Sequence, residues 1–193
     1  MKQRQRLVIG AAIGCLLAMG MGRVEAKEIP FKGDNAGTYL DTRIDLNNDG
    51  NPATWATWVE KSNLGQASVQ AIIEQVPVSS PTGACPADQL ETALVGGSIV
   101  NTFLQTQDQL FIQPTSRVAC IDPVKGTISG HTTATITGGT GKFAGATGSV
   151  TYSFTASSLA AVFDPESNQG FGPFTGTIEG TLILPNGGHD EKD

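Results

Sequence analysis

The sequence predicts an all-β fold, a single antiparallel barrel of about eight strands. Three observations lead to this prediction. Long segments alternate apolar and polar residues with a period of two, which is typical of strands that bury one face. No segment has convincing helical spacing. Glycines recur on the apolar face of the last strands, where they leave room for a tightly curved, closed sheet.

The N-terminal 26 residues have the pattern of a secretory signal peptide. Basic residues among the first six precede an apolar stretch at 7–22, and Val24-Glu25-Ala26 ends in a site that signal peptidase would read. The apolar stretch is shorter than a membrane span, which disfavours an uncleaved anchor. We therefore expect a secreted or periplasmic protein that begins at Lys27 and is not membrane-bound after cleavage.

The expected mature segment, 27–193, is strongly acidic. It contains eight Lys/Arg and 17 Asp/Glu residues, a formal net charge of −9. No cluster of Lys or Arg offsets this charge, so nucleic acid and anionic membrane surfaces are poor partners. Its length suits one domain with a sizeable core.

Two cysteines remain in this segment. Cys85 lies in a Pro/Gly-rich turn, and Cys120 follows a short strand pattern. In an exported chain they most simply form one disulfide, which would stabilise the fold by about 3–4 kcal/mol on the chain-entropy model. A thiol nucleophile is the alternative.

The barrel domain is placed at 54–193, and residues 27–53 are predicted to lead into it. The first part of this lead-in, 27–40, is mostly polar and is expected to be loose. The second part, 41–52, is an acidic loop rich in Asp and Asn. The composition of the loop favours turns over regular structure.

This loop carries the sequence's one suggestion of a metal. Asp45, Asn47 and Asp49 alternate and Gly50 follows, which is the spacing of oxygen ligands in a calcium loop. The twelfth position is Ala56, where an EF-hand has glutamate. The same residues are typical of an Asx turn, in which the side chains accept hydrogen bonds from the nearby backbone. The departure from the EF-hand pattern favours the Asx turn over a calcium site. No other cofactor is suggested.

Eight segments are predicted as strands. Segment 66–78 also fits helical spacing, but its neighbours are strands, so a strand is favoured. In the last three segments the alternation assigns an inner face that ends with Ile136, Phe154 and Leu184. The predicted strands are 54–61, 66–78, 91–104, 109–115, 118–121, 127–137, 149–154 and 174–184.

A glycine-rich segment joins two of these strands. Gly138, Gly139 and Gly141 allow positive φ, so a sharp turn is predicted, and Phe143 is expected to point back into the core. Residues 139–144 also match the relaxed dinucleotide-binding pattern G-x-G-x-x-A. A strand follows instead of the helix that this pattern needs, so nucleotide binding is disfavoured.

The glycine-rich segment resembles the signature hairpin of the dirigent and allene-oxide-cyclase-like barrels, especially their exported bacterial relatives. The resemblance implies an eight-stranded antiparallel barrel with an apolar interior, often assembled as a homodimer or homotrimer. Plant members guide phenoxy-radical coupling or cyclise an unstable epoxide in that interior. Where the family pattern usually has arginine, this chain has Thr147. The matching residues are Ile136, Gly138, Gly139, Thr140, Gly141, Lys142, Phe143, Ala146 and Gly148.

Candidates for catalysis are few. His131 and Glu179 both lie on polar strand faces, where a histidine base with a carboxylate partner would be a plausible acid–base pair. Exposed residues on a Thr-rich face are the competing interpretation. No serine lies in a nucleophile elbow, and there are too few His and Cys residues for a typical zinc site.

The favoured function is that of a binding or structural protein without catalysis, whose barrel holds a small apolar ligand or is filled by its own side chains. The alternative is a cofactor-free cyclase, isomerase or coupling guide, which rests on the family resemblance. The cavity distinguishes them. A packed interior would exclude both ligand binding and catalysis, whereas an open interior with an inward-facing acid would favour an enzyme.

Overall fold

The computed structural model describes residues 26–42, 44–157 and 170–185, and in them eight antiparallel strands close into one barrel in chain order. The predicted fold class is confirmed. The predicted signal peptide lies outside the described residues except for Ala26. The strands are β1 (Lys27–Asp41), β2 (Ala53–Ser62), β3 (Gly65–Pro77), β4 (Leu90–Phe103), β5 (Gln109–Asp122), β6 (Thr127–Gly139), β7 (Thr147–Ser157) and β8 (Phe171–Leu184).

The described residues include only one short helix, a 3-10 turn at Gly141–Phe143. No helix among them has the length and apolar character needed to cross a membrane. The ambiguous segment 66–78 is a strand, because Val69, Ala71 and Ile73 are buried on one face of β3.

The prediction of a loose lead-in at 27–40 is wrong, because this segment forms β1. The strand pairs with both β2 and β8 and so closes the barrel. Its buried residues Phe31, Asn35 and Tyr39 recur at every fourth position, with Gly33 and Gly37 between them on the same face. A Cβ at Gly37 would collide with Trp58 and the backbone of β2. At 33 and 37 glycine therefore takes an inner position that an apolar side chain would otherwise occupy, which hides the strand's alternation.

The two short strands predicted at 109–115 and 118–121 are one strand, β5. Its pairing with β6 is irregular between Pro114 and Ser116, which leaves Thr115 as an extra residue, a β-bulge. Proline cannot donate to the ladder, which is why the pattern is interrupted there. The number of strands is still eight, as predicted, because the unpredicted β1 adds one strand and the merging of these two segments into β5 removes one.

The end of the barrel at the glycine-rich turn is packed with apolar side chains. Phe143 is 1% exposed, and its ring centroid lies 4.7 Å from that of Phe103. Phe31, Ile136 and Leu182 are buried in the same core. The prediction that Phe143 anchors the turn in the core is confirmed.

The Cys85–Cys120 disulfide is confirmed. Its Cα atoms are 5.5 Å apart, and the two residues are separated by 35 positions. It joins the loop that precedes β4 to the outer face of β5, next to the buried Ala119. A disulfide of this kind is compatible with an oxidising compartment.

Candidate functional site

The interior is not completely filled. A cavity of about 120 Å³ lies in the half of the barrel away from the glycine-rich turn. Aromatic and aliphatic side chains form most of its wall, including Trp58, Tyr152, Phe154 and Phe174. A few polar groups face into it from different strands, among them Asp41, Gln75, Arg117 and Thr132.

The bulge in β5 places Arg117 in this wall. Before the bulge, the even-numbered Leu110 and Ile112 are buried. After it, the odd-numbered Arg117, Ala119 and Ile121 face inward, because one extra residue reverses the alternation. Without the extra residue, Arg117 would point to the outer face.

The guanidinium of Arg117 is held in a defined position. Its Nε donates to Oε1 of Gln75 at 2.9 Å, and its Nη1 donates to Oγ1 of Thr132 at 2.9 Å. Its Cζ lies 4.3 Å from the ring centroid of Phe154, a cation–π contact. The two hydrogen bonds use only two of the five N–H groups that a guanidinium offers.

Arg117 remains charged at neutral pH. Burial lowers its pKa to about 10, and the nearby carboxylate of Asp41 acts in the opposite direction. The described residues form no ion pair with it, since their single salt bridge joins Lys125 and Asp122. The cavity therefore contains a cation without a carboxylate in direct contact.

Asp41, at the end of β1, is an acid that faces the same cavity. Its Oδ1 accepts a hydrogen bond from Oγ1 of Thr54 at 2.7 Å. Burial raises the pKa of Asp41, although hydrogen bonds from Thr54 and the Gly170 backbone and the charge of Arg117 lower it in part. An acid from β1 and a cation from β5 thus line the same cavity.

A second polar cluster lies inside the barrel around Glu60. Its Oε1 accepts a hydrogen bond from Nδ2 of Asn101 at 3.1 Å, and both side chains are fully buried. Burial raises the pKa of Glu60 to about 7, against hydrogen bonding from Asn101 and Trp58. Burial and then the charge of Glu60 also raise the pKa of Tyr152.

Several atoms of this cluster lack a hydrogen bond of good geometry within the described residues. They are Trp58 Nε1, Glu60 Oε2, Asn101 Oδ1 and Tyr152 OH. Trp58 and Tyr152 also line the cavity, and their rings meet edge to face at 5.9 Å. The cluster therefore touches the cavity through these two aromatic side chains.

The other predicted site residues lie outside the barrel interior. His131 in β6 and Glu179 in β8 are exposed, and β7 separates their strands, so the structure does not bring them together. Asp45 and Asp49 lie in the loop between β1 and β2, near Glu74 of β3. Gly138 and Gly139 end β6 and Gly141 begins the short helix, so the three glycines lie where the chain turns after β6, and none of them lines the cavity.

Arg117 and Glu60 were not anticipated from the sequence. Glu60 lies two residues after Trp58 in β2, so both side chains are on the same face of the strand. A charged residue on that apolar face was the sequence signal for a polar site in the interior. The signal for Arg117 was Pro114 within a strand pattern, which is typical of a bulge.

The sequence matches no protein-family model and no curated protein.

Proposed function

We propose that this protein is exported and binds a small molecule in its barrel, one with an apolar body and a single anionic or carbonyl group. The position of Arg117 in the cavity wall is the observation that carries this proposal. The disulfide supports export to an oxidising compartment. The resemblance of the glycine-rich turn to dirigent and allene-oxide-cyclase-like barrels supports a ligand in the interior.

The chemistry of the wall defines the ligand class. Arg117 brings a positive charge into a mostly apolar cavity, and beyond its bonds to Gln75 and Thr132 the guanidinium has further N–H groups to offer to an oxygen. The surrounding aromatic rings of Trp58, Phe154 and Phe174 favour a flat apolar body. Cavities of about 150 Å³ accept benzene, so the enclosed part of the ligand is about one ring in size.

A matched pair of probes tests this proposal. Benzoate and benzyl alcohol have the same ring, but only benzoate has a charge for Arg117. The Trp55→Phe protein leaves Trp58 as the single tryptophan, so its fluorescence reports on the cavity wall. We expect benzoate to bind about ten to a hundred times more tightly than benzyl alcohol, as charge-assisted hydrogen bonds allow.

Arg117→Met removes the charge and keeps an extended side chain. It should abolish the preference for benzoate and leave the binding of benzyl alcohol nearly unchanged. Lys142→Met, which removes an exposed cation at the other end of the barrel, is the control. If neither probe perturbs Trp58, the binding proposal fails.

A second candidate function is proton transfer in a cofactor-free isomerase or cyclase. It is favoured by Asp41, an inward-facing acid, together with Arg117 in the same cavity. The Asp41 carboxylate would take a proton from a carbon next to a carbonyl, and Arg117 would donate hydrogen bonds to the resulting enolate oxygen. The same proton, or one from solvent, would then return to carbon.

Hydrogen exchange tests this second function without knowledge of the natural substrate. In D₂O, the enzyme should replace the methyl protons of an aryl methyl ketone by deuterium, as followed by NMR. Asp41→Asn should abolish the exchange, whereas Asp34→Asn, an exposed acid of the same strand, should not. Exchange that persists in Asp41→Asn would exclude Asp41 as the base.

A further inference from the structure

Three carboxylates converge on the outer face of the barrel, away from the interior cavity. Asp45 and Asp49 belong to the loop between β1 and β2, and Glu74 lies in β3. One oxygen of each lies within 4.8 Å of the other two. No described lysine or arginine forms an ion pair with any of them.

Glu74 is the unusual member of this cluster. It is 1% exposed because the loop covers it, and its Oε2 accepts a hydrogen bond from the backbone N–H of Leu46 at 3.2 Å. Its Oε1 is buried and has no hydrogen-bond partner among the described residues. Such an oxygen costs free energy unless a donor or a cation satisfies it.

The hydrogen bonds within the loop explain its shape but leave Glu74 unexplained. Asp45 accepts the backbone N–H groups of Asn47, Asp49 and Gly50 at 3.3, 3.1 and 2.7 Å. These are the bonds expected of an Asx-rich turn. A turn needs no buried carboxylate beneath it, so the burial of Glu74 requires a separate reason.

We propose that Asp45, Asp49 and Glu74 bind a calcium ion. An all-oxygen set with three carboxylates is typical of calcium, whereas zinc prefers nitrogen and sulfur. Ala56, at the twelfth position of the loop pattern, lines the interior cavity and has no oxygen ligand in its side chain. Glu74 from the neighbouring strand supplies the glutamate that this position provides in an EF-hand.

The ion would tie the loop to the barrel wall. Ala53, where the loop enters β2, pairs with Glu74 in the sheet. Asp41 and Thr54, on either side of the loop, both line the interior cavity. Calcium would therefore fix one end of that cavity as well as the loop.

Thermal unfolding and calorimetry of the purified protein test the site. Extracellular calcium modules have Kd values on the order of 10⁻⁴–10⁻³ M, and we expect a value in this range. At a calcium concentration about ten times Kd, the Tm should rise by about 3–6 °C over its value in chelator. An unchanged Tm together with no binding heat would overturn the proposal.

Glu74→Gln separates a metal ligand from a merely structural residue. It should weaken calcium binding at least tenfold, yet in chelator its Tm should equal or exceed that of the wild type, because repulsion among the carboxylates is relieved. Asp49→Asn, at an exposed position, should weaken calcium binding similarly. It replaces Glu74→Gln as the test variant if Glu74→Gln does not fold. Glu179→Gln, an exposed residue of β8, should bind calcium like the wild type. Full calcium binding by both loop-site variants would refute the assignment.

Discussion

Asn101 donates a hydrogen bond to Glu60 across 3.1 Å in the interior of the barrel, where neither side chain is exposed. The amide satisfies one carboxyl oxygen of Glu60 and leaves the other without a hydrogen bond of good geometry among the described residues. Burial therefore dominates, and the pKa of Glu60 rises to about 7. The barrel thus holds a carboxyl group that changes its charge near neutral pH.

This group should make the stability of the protein depend on pH. The folded pKa of about 7 lies above the unfolded value of 4.5, so the protonated form favours folding. The contribution is fully present below pH 4.5 and is lost as the pH rises to about 7. On this basis the free energy of unfolding should fall by up to about 3 kcal/mol over that interval.

Glu60→Gln tests the origin of this dependence. The amide oxygen can still accept from Asn101, but it carries no charge at high pH. We expect the variant to have a higher Tm than the wild type at pH 8, by roughly 6–12 °C, and a similar Tm at pH 4.5. Glu28→Gln, on the exposed face of β1, should not change the pH profile. Parallel profiles for the wild type and Glu60→Gln would show that Glu60 does not ionise in this range.

The strands that could be recognised from the sequence are those whose alternation is complete. In β6, Ile128, Thr132 and Ile136 share the inner face as predicted, because every second residue there is apolar or small. In β1, the polar Asn35 and the glycines at 33 and 37 occupy three successive inner positions, so the same rule failed. Alternation reveals a strand through the side chains that it buries. Where the close approach of another strand requires glycine, there is no buried side chain, so the pattern does not reveal the strand.

Two buried polar side chains, one inside the barrel and one on its outer face, were harder to predict. Arg117 faces inward only because Thr115 is an extra residue in β5, and a one-residue shift reverses every later side chain. Glu74, on the outer face, is covered by a loop whose Leu46 lies 28 residues before it, and the pairing of Ala53 with Glu74 between β2 and β3 brings them together. Long-range pairing, which no local pattern encodes, decides both positions.

The glycine-rich turn offers a test of close packing. A Cβ at Gly139 would collide with the carbonyl oxygen of Gln109 and would lie 2.7 Å from Cβ of Phe143. Gly139→Ala should therefore lower the free energy of unfolding by about 1–3 kcal/mol, as overpacked sites do. The measurement is the denaturation midpoint in urea.

Gly96→Ala is the matched control for this substitution. No atom lies within 4 Å of the position that its Cβ would take, and its φ is not positive. We expect this substitution to be neutral, or to stabilise the protein by up to about 1 kcal/mol, because alanine lowers the conformational entropy of the unfolded chain. Equal destabilisation by both substitutions would show that the loss of glycine flexibility, and not the collision, is responsible.

The disulfide should stabilise the protein mainly by lowering the conformational entropy of the unfolded chain. Cys85 and Cys120 close a loop of 35 residues, for which the chain-entropy model gives about 3–4 kcal/mol. The loop that contains Cys85 has a second attachment to the barrel, because Thr82 donates to Glu91 through both its backbone N–H and its hydroxyl group, at 3.1 and 2.7 Å. The loop should therefore keep its place when the disulfide is removed.

A double Cys85→Ala, Cys120→Ala variant tests this expectation. Its Tm should fall by about 6–16 °C, while hydrogen exchange of the backbone around Thr82 under native conditions should change little. Adding Thr82→Val, which removes the hydroxyl hydrogen bond to Glu91 and keeps the one from the backbone N–H, should loosen the loop and accelerate that exchange. In the wild type, alkylation without reductant should leave Cys85 and Cys120 unlabelled, and labelling of either residue would contradict the disulfide. Rapid exchange around Thr82 in the double variant alone would instead make the disulfide the main attachment of the loop.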